Sequence, residues 1–388
     1  MVYITVVLKE KPILNRRFVR LKAMQNLYAF HVCKQANYQW ALAQIRDAFA
    51  PDVFADPPLN KEQQAAEQEK ALALFAALVA LDQAVISKQQ EYSDKVQTVV
   101  QQVRTQYEQE LAKDLKKLKS SWPATLASIQ QTCLLVLALL IEWRKVAQQQ
   151  FERTKFTKQQ GPNWGLGLAN NRILESLQAN NSFAQLIQQH HISWSKHTDL
   201  VINWYNQFIK PQFSPPNTPE QLPNQIQEIK FLETLVQAVI FEEKVIQDFL
   251  GETELSWVAN KSIIKKWVLQ ALAILQENTQ ENTNFELFKI TSEWETAGTL
   301  YTSLINHSLT QDQAFEKIIQ EHTKNWSINR IVLLDKVIIK LALSEIIYLT
   351  SIPVKVSMNE YMDLSKVYST PKSSYFINGV LDAVAKTR

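Results

Sequence analysis

Glycine is nearly absent from this chain, at 6 of 388 residues, against about 7% in an average protein. Glycine-rich phosphate loops, hairpin-rich β folds and doubly wound sheets all need more of it for their tight turns. Only two cysteines are present, Cys33 and Cys133. They exclude a disulfide framework and a four-thiolate metal site, and read as buried thiols in a reducing compartment. Histidine clusters once, at His190, His191 and His197, with no acidic residue between them at metal-ligand spacing, so no metal is expected. There is no Gly-x-Ser-x-Gly, no P-loop and no dinucleotide fingerprint. Paired carboxylates such as Glu242-Glu243 fall on polar helix faces, where solvation accounts for them. No catalytic residue and no cofactor is therefore expected. Long apolar runs are missing too: the longest, Cys133–Ile141, is far below the roughly 20 residues that span a bilayer. Met1–Leu8 lacks the basic region and cleavage site of a signal peptide. A soluble, cytoplasmic protein is expected.

What fills the chain instead is Gln, Leu, Ala, Lys and Glu, with 46% hydrophobic and 20% charged residues. That composition builds a core and favours an all-α fold. The net charge is only +3, but it is unevenly spread. Residues 1–34 carry Lys9, Lys11, Arg16, Arg17, Arg20, Lys22 and Lys34 against Glu10 alone. Residues 324–388 hold nine basic and five acidic residues, while 35–323 hold 25 and 32. Two basic ends around an acidic middle predict one anion-binding surface made from both termini.

Along the chain, residues 1–12 read as an extended arm ended by Pro12. A helix follows from Asn15 through Val32 or beyond, its apolar Val19, Ala23, Leu27 and Phe30 recurring every three to four residues. Arg16, Arg17 and Arg20 at its start oppose the helix dipole, which points to phosphate contact rather than helix stability. Residues 51–60 are a Pro-rich break. From 61 to 158 the sequence is long-helix material, and Ser120-Ser121-Trp122-Pro123 reads as the turn of a projecting helical hairpin. Shorter helices are expected from 169 to 306, with a loop at Pro211–Pro223, and the ten tryptophans are expected to anchor helix packing. Ile328–Leu349 is apolar nearly all round, the pattern of a central buried helix. An amphipathic helix at Ser357–Tyr368 and a last one after Pro371 complete the chain. Gly379 inside the last helix costs about 1 kcal/mol relative to Ala, and a close helix crossing there would offset it.

Three blocks resemble a known family. Residues 16–30, RRFVRLKAMQNLYAF, are similar to the first helix of the bacterial antitermination factor NusB, with clustered arginines and Ala23, Gln25, Leu27 and Tyr28. Residues 352–382 resemble its C-terminal signature through Pro353, Lys355-Val356, Asn359-Glu360, Leu364, Lys366, Ser373 and the run Phe376–Asp382. Arg330–Ile346 is similar to its hydrophobic central helix. The resemblance divides the chain into an arm (1–12), a first core helix (13–40), a helical insertion (41–290, holding the 61–158 hairpin) and a C-terminal core (291–388). The insertion resembles that of long Bacteroidetes-type members.

The resemblance implies a NusB-like helical bundle that binds boxA-type single-stranded RNA of the rRNA leader. It does so together with NusE, a small-subunit ribosomal protein, and so reaches the elongating RNA polymerase indirectly. Arg16, Arg17, Arg20 and Lys372 would neutralise phosphates. Tyr28, Tyr368 and Tyr375 would offer ring faces, and Ser373 and Asn378 hydrogen bonds, although Ser373 is equally explained as a helix N-cap. Asp335 and Lys336 are implied to face NusE. The chain departs from the family where Pro371-Lys372 replaces a commonly acidic loop and Tyr375 a commonly basic position. A second reading is a helical protein-interaction scaffold that has lost specific RNA binding. A third, an RNA-modification enzyme with a NusB-like domain, conflicts with the missing cofactor loop and the C-terminal place of the signature. The acidic insertion reads as a partner-docking arm or a shield against non-specific RNA.

Overall fold

The computed structural model describes residues 14–50, 61–81, 91–156, 166–211, 225–278, 286–287, 292–322 and 331–386. Within them all regular structure is helical, as the composition predicts. The expected arm at 1–12, the break at 51–60 and all but the first residue of the loop at Pro211–Pro223 lie outside the described residues. In chain order the helices are α1 (Arg16–Ala48), α2 (Lys61–Ala80), α3 (Asp94–Phe156), α4 (Leu166–Ala169), α5 (Arg172–Ala179), α6 (Asn181–Gln189) and α7 (Thr198–Trp204). There follow α8 (Gln225–Leu235), α9 (Lys244–Thr253), α10 (Trp257–Asn278), α11 (Ser292–Thr310), α12 (Asp312–Glu321), α13 (Leu333–Tyr348), α14 (Val354–Tyr368) and α15 (Pro371–Lys386). Single π-helical turns, Tyr205–Ile209 and Val236–Ile240, extend α7 and α8.

The chain divides into two compact units, one of Arg16–Trp122 and Ala297–Arg388, the other centred on Pro123–Thr296. In the first, α13 is the central helix: Val337, Ile338, Ile339, Leu341, Ala342 and Leu343 have no exposed surface. It packs against α1, α12, α14 and α15, so apolar side chains on every face find partners. The far half of α1 builds a second cluster with α2 and the start of α3, through Ala41, Ile45, Leu74, Phe75, Val96, Val100 and Tyr107. Residues 61–122 thus belong to the same unit as α1 and α13.

The turn expected at Ser120–Pro123 is not there. α3 runs unbroken for 63 residues with Pro123 inside it, although an interior proline removes a hydrogen bond and costs about 3 kcal/mol. Packing outweighs that cost. Trp122 stacks on Tyr301 at 5.3 Å between centroids and meets Phe18 at 6.4 Å. Beside it Ser121 Oγ lies 2.5 Å from Tyr301 Oη, and Asn26 Nδ2 donates to both oxygens at 3.1 and 3.0 Å. Continuing the helix through residue 123 keeps both Ser121 and Trp122 in these contacts.

The second unit is built on the far half of α3, where Cys133, Leu134, Val136, Leu137, Leu139 and Leu140 are fully buried. This stretch makes α3 long and apolar enough by length and composition to cross a membrane, which the run Cys133–Ile141 alone does not suggest; its burial is that of a core helix. Trp143 Nε1 donates to Val201 O and Trp194 Nε1 to Leu135 O, at 3.1 and 3.0 Å. Asn171 and Asn180 cap α5 and α6 by accepting from Leu174 N and Phe183 N. The histidines expected to bind no metal have packing contacts: His190 Nδ1 lies 3.1 Å from Gln131 Nε2, and His197 stands edge-on to Phe249 at 5.0 Å. Cys133 is buried as expected, but Cys33 is exposed on α1.

Two glycines have opposite meanings. A Cβ on Gly298 would sit 3.1 Å from Trp122 Nε1 and 3.3 Å from its Cδ1, and that ring is wedged by Tyr301 and Phe18. Gly379, expected at a close crossing, has nothing within 4 Å; it is exposed. Gly298→Ala is expected to destabilise by about 1–2 kcal/mol through overpacking. Gly379→Ala is expected to stabilise by about 0.5–1 kcal/mol through helix propensity. Urea melts of the two variants check both signs.

Candidate nucleic-acid interface

The arginines at the start of α1 divide into two kinds. Arg16 is exposed and has no ion-pair partner among the described residues. Arg17 is half exposed and meets Asp363 of α14 at 3.3 Å, a surface pair of small energetic value. Arg20 corrects the expectation of a phosphate contact, because its side chain is only 2% exposed. Its Nε and Nη2 donate to Glu345 Oε2 and Oε1 at 2.9 and 2.7 Å. Nη1 lies 3.4 Å from Glu360 Oε2, an oxygen that is buried without a hydrogen bond.

Glu345 is itself fully buried, and accepts also from Ser357 Oγ at 2.6 Å and Tyr361 Oη at 3.2 Å. Burial works to lower the Arg20 pKa, but the hydrogen bonds and charge of Glu345 outweigh it and the guanidinium is raised above its ordinary value. Burial, followed by the Glu345 charge, pushes the Tyr361 phenol well up. The group is a locked ion pair joining α1, α13 and α14. Sequence reasoning missed Glu345, Ser357 and Tyr361 as a unit; the one available signal was the acidic Glu345 late in the largely apolar α13.

At the other basic end, α15 begins at Pro371, and its cap is Thr370 rather than Ser373. Thr370 Oγ1 accepts from Ser373 N at 3.1 Å and lies 2.9 Å from Ser373 Oγ. Lys372, Ser373 and Tyr375 line one groove of about 620 Å³ with Ile331, Val332, Asp335 and Phe376. Tyr375 is 82% exposed and Lys372 is exposed. Asp335 is not the open carboxylate expected: it is 3% exposed and accepts from Ser369 Oγ at 2.6 Å, fixing the corner between α14 and α15. Asn378 donates to Asp382 Oδ2 at 3.1 Å. Tyr28 and Tyr368 are each 39% exposed, leaving ring surface open.

Lys336 belongs elsewhere. It is half-buried and lines a separate cleft of about 300 Å³ with His31, Lys34, Tyr38, Tyr107, Asp312, Glu316 and Lys340. Burial and then the Lys340 charge push His31 down to about 4.

Comparison with known proteins places this architecture. Residues 262–386 match the model of the NusB family. The "Transcription antitermination protein NusB" of Thermodesulfovibrio yellowstonii is 35% identical over 134 residues, which cover 31% of this chain and 89% of that protein. The chain belongs to the NusB family. The NusB of Chloroherpeton thalassium is 42% identical over 80 residues, 21% of this chain and 38% of that protein. That of Salinibacter ruber is 37% identical over 81 residues, 21% of this chain and 51% of that protein. No solved structure matches. The family model begins at residue 262, ahead of the expected core boundary at 291, and does not reach α1. The NusB relatives named here are transcription antitermination proteins, and the family model covers the last third of the chain.

Two outcomes follow from the geometry. Arg20→Ala strands the Glu345 carboxylate and is expected to cost about 3–5 kcal/mol, whereas Arg17→Ala should stay within about 1 kcal/mol; thermal and urea unfolding separate them. His31 is neutral in the folded state over a range where the unfolded chain takes up a proton. Its contribution to stability is full above about pH 6.5 and declines by about 1–2 kcal/mol as pH falls to 5. The groups facing it are Lys34, Lys340, Asp312 and Glu316, and Lys336 lines the same cleft. His31→Gln is expected to lose less stability than the parent between pH 7 and 5, as read by urea melts at both pH values.

Proposed function

We propose that this chain is a non-catalytic, cytoplasmic, RNA-binding transcription antitermination factor. In this reading it binds boxA-type single-stranded rRNA leader RNA together with NusE, a small-subunit ribosomal protein, and so reaches the elongating polymerase. The observation that carries the reading is the open surface at the basic ends: Arg16, Arg17 and Tyr28 on α1, with Tyr368, Lys372 and Tyr375 around the α14–α15 corner. Exposed cations supply a sequence-independent, salt-sensitive attraction, and exposed rings supply stacking faces for unpaired bases. Ser373 and Asn378 add polar contacts at the same helix.

Arg20 and Asp335 serve this surface by position. The first locks the rotation of α1 against α13, and the second holds the corner from which Lys372 and Tyr375 project. NusE is assigned to Lys336 and its surroundings, with added RNA contacts raising affinity in the ternary complex.

The scaffold reading is favoured by one observation, the loss of Arg20 from the surface with Arg17 already facing Asp363. Fluorescence anisotropy of a labelled boxA-like RNA, with and without the cognate NusE and against a scrambled RNA, separates the two. Sequence-selective binding that tightens with NusE is the expected result. Arg16→Ala/Arg17→Ala should weaken it at least tenfold and flatten the slope of log affinity against log salt by about 1.4, the value for two phosphate contacts on a single strand. Binding equal for both RNAs and erased by modest salt overturns the RNA reading in favour of the scaffold.

A further inference from the structure

The cleft that holds Lys336 is lined by donors whose acceptors are missing. Lys34 of α1 and Lys336 of α13 both line it, and neither has an ion-pair partner among the described residues. His31, Tyr38 and Tyr107 also line it, and no side-chain hydrogen bond engages them among the described residues. The two carboxylates present are already engaged: Lys340 Nζ, 4% exposed, holds Asp312 Oδ1 at 2.5 Å and Glu316 Oε1 at 3.0 Å.

We propose that this cleft binds a phosphate-bearing ligand. Three lysines and two carboxylates line the cleft, and the two lysines without ion-pair partners come from different helices, so an anion held between them would gain charge-assisted hydrogen bonds from both. A phosphate group presents several acceptor oxygens to several waiting donors, where a carboxylate presents only two. The walls are set in advance. Tyr38 stacks on Phe75 at 5.6 Å and stands edge-on to Tyr107 at 6.3 Å, so ligand entry requires no ordering of either ring. The volume of about 300 Å³ sits at the lower end of small-molecule sites, which fits a phosphate with a small organic group. The same chemistry is offered by a free nucleotide and by one nucleotide of an RNA strand. The site stands apart from the groove of Lys372 and Tyr375, and because it includes Lys336 it lies where the proposed function places NusE.

The test is isothermal titration of the full chain at low salt with inorganic phosphate, with 5′-AMP and with adenosine. Saturable binding of phosphate and AMP, and none of adenosine, is expected. Lys34→Gln/Lys336→Gln should weaken AMP at least tenfold. Lys116→Gln/Lys117→Gln, which removes the same charge from exposed positions on α3, should leave it unchanged. Thermal melts of both variants verify folding, and because the two cleft lysines lack ion-pair partners the fold is expected to survive. Displacement of AMP by boxA-like RNA would assign the site to an RNA phosphate, and retention of AMP to a free ligand. Absence of saturable binding by AMP and phosphate, or an equal loss in the control variant, overturns the proposal.

Discussion

A guanidinium shut away from water, facing a carboxylate equally shut away, fixes how the first unit is assembled. Either charge alone would be unaffordable in that interior, and each is tolerated because the other is there with matching fork geometry. Ser357 and Tyr361 fill the remaining lone pairs of Glu345, so the carboxylate is satisfied on every side. Through this one group α1, α13 and α14 share a single rotational setting. Phe18, Val19, Ala23 and Leu27 then turn inward, and Arg16, Arg17 and Tyr28 are left outside. The surface assigned to RNA is therefore a by-product of a buried electrostatic lock.

A second constraint of the same unit is aromatic. Trp122 lies against Tyr301, and the Asn26, Ser121 and Tyr301 side chains close a small polar triangle beside the stack. Gly298 allows the close approach. These contacts join α1, α3 and α11, which are far apart in sequence, and they keep a proline-containing segment helical where local preference favours a break.

The all-helical class, the buried character of α13 and the order of the last three helices were legible in the sequence, because glycine poverty and all-round apolar patterning are strong local signals. The unbroken α3 was not legible, since a Ser-Ser-Trp-Pro junction looks like a turn until Tyr301 is known to be beneath it. The fate of the arginines was hidden for a related reason. Arg16 and Arg20 share one helix face, yet only Arg20 is covered by α13 and α14; Arg16 sits at the helix end. Ser373 reads equally as an RNA contact or a cap in the sequence, whereas Thr370, three residues earlier and just before Pro371, has the cap geometry. Asp335 looked like a surface acid because nothing in its own helix announces Ser369. For the proline, the arginines and Asp335 a segment distant in the sequence decides the outcome, and for the cap a neighbour three residues away does.

The two cysteines differ in a way that makes them clocks. Cys33 stands in the open on α1, whereas Cys133 is fully buried, lies 3.7 Å from Ile264 O, and has its thiol pushed well up by burial. A thiol-reactive reagent therefore meets one group immediately and the other only when the unit around the far half of α3 opens. The wild-type chain thus carries its own reporter of that unit's opening rate, together with a single reactive handle on α1 for attaching a probe.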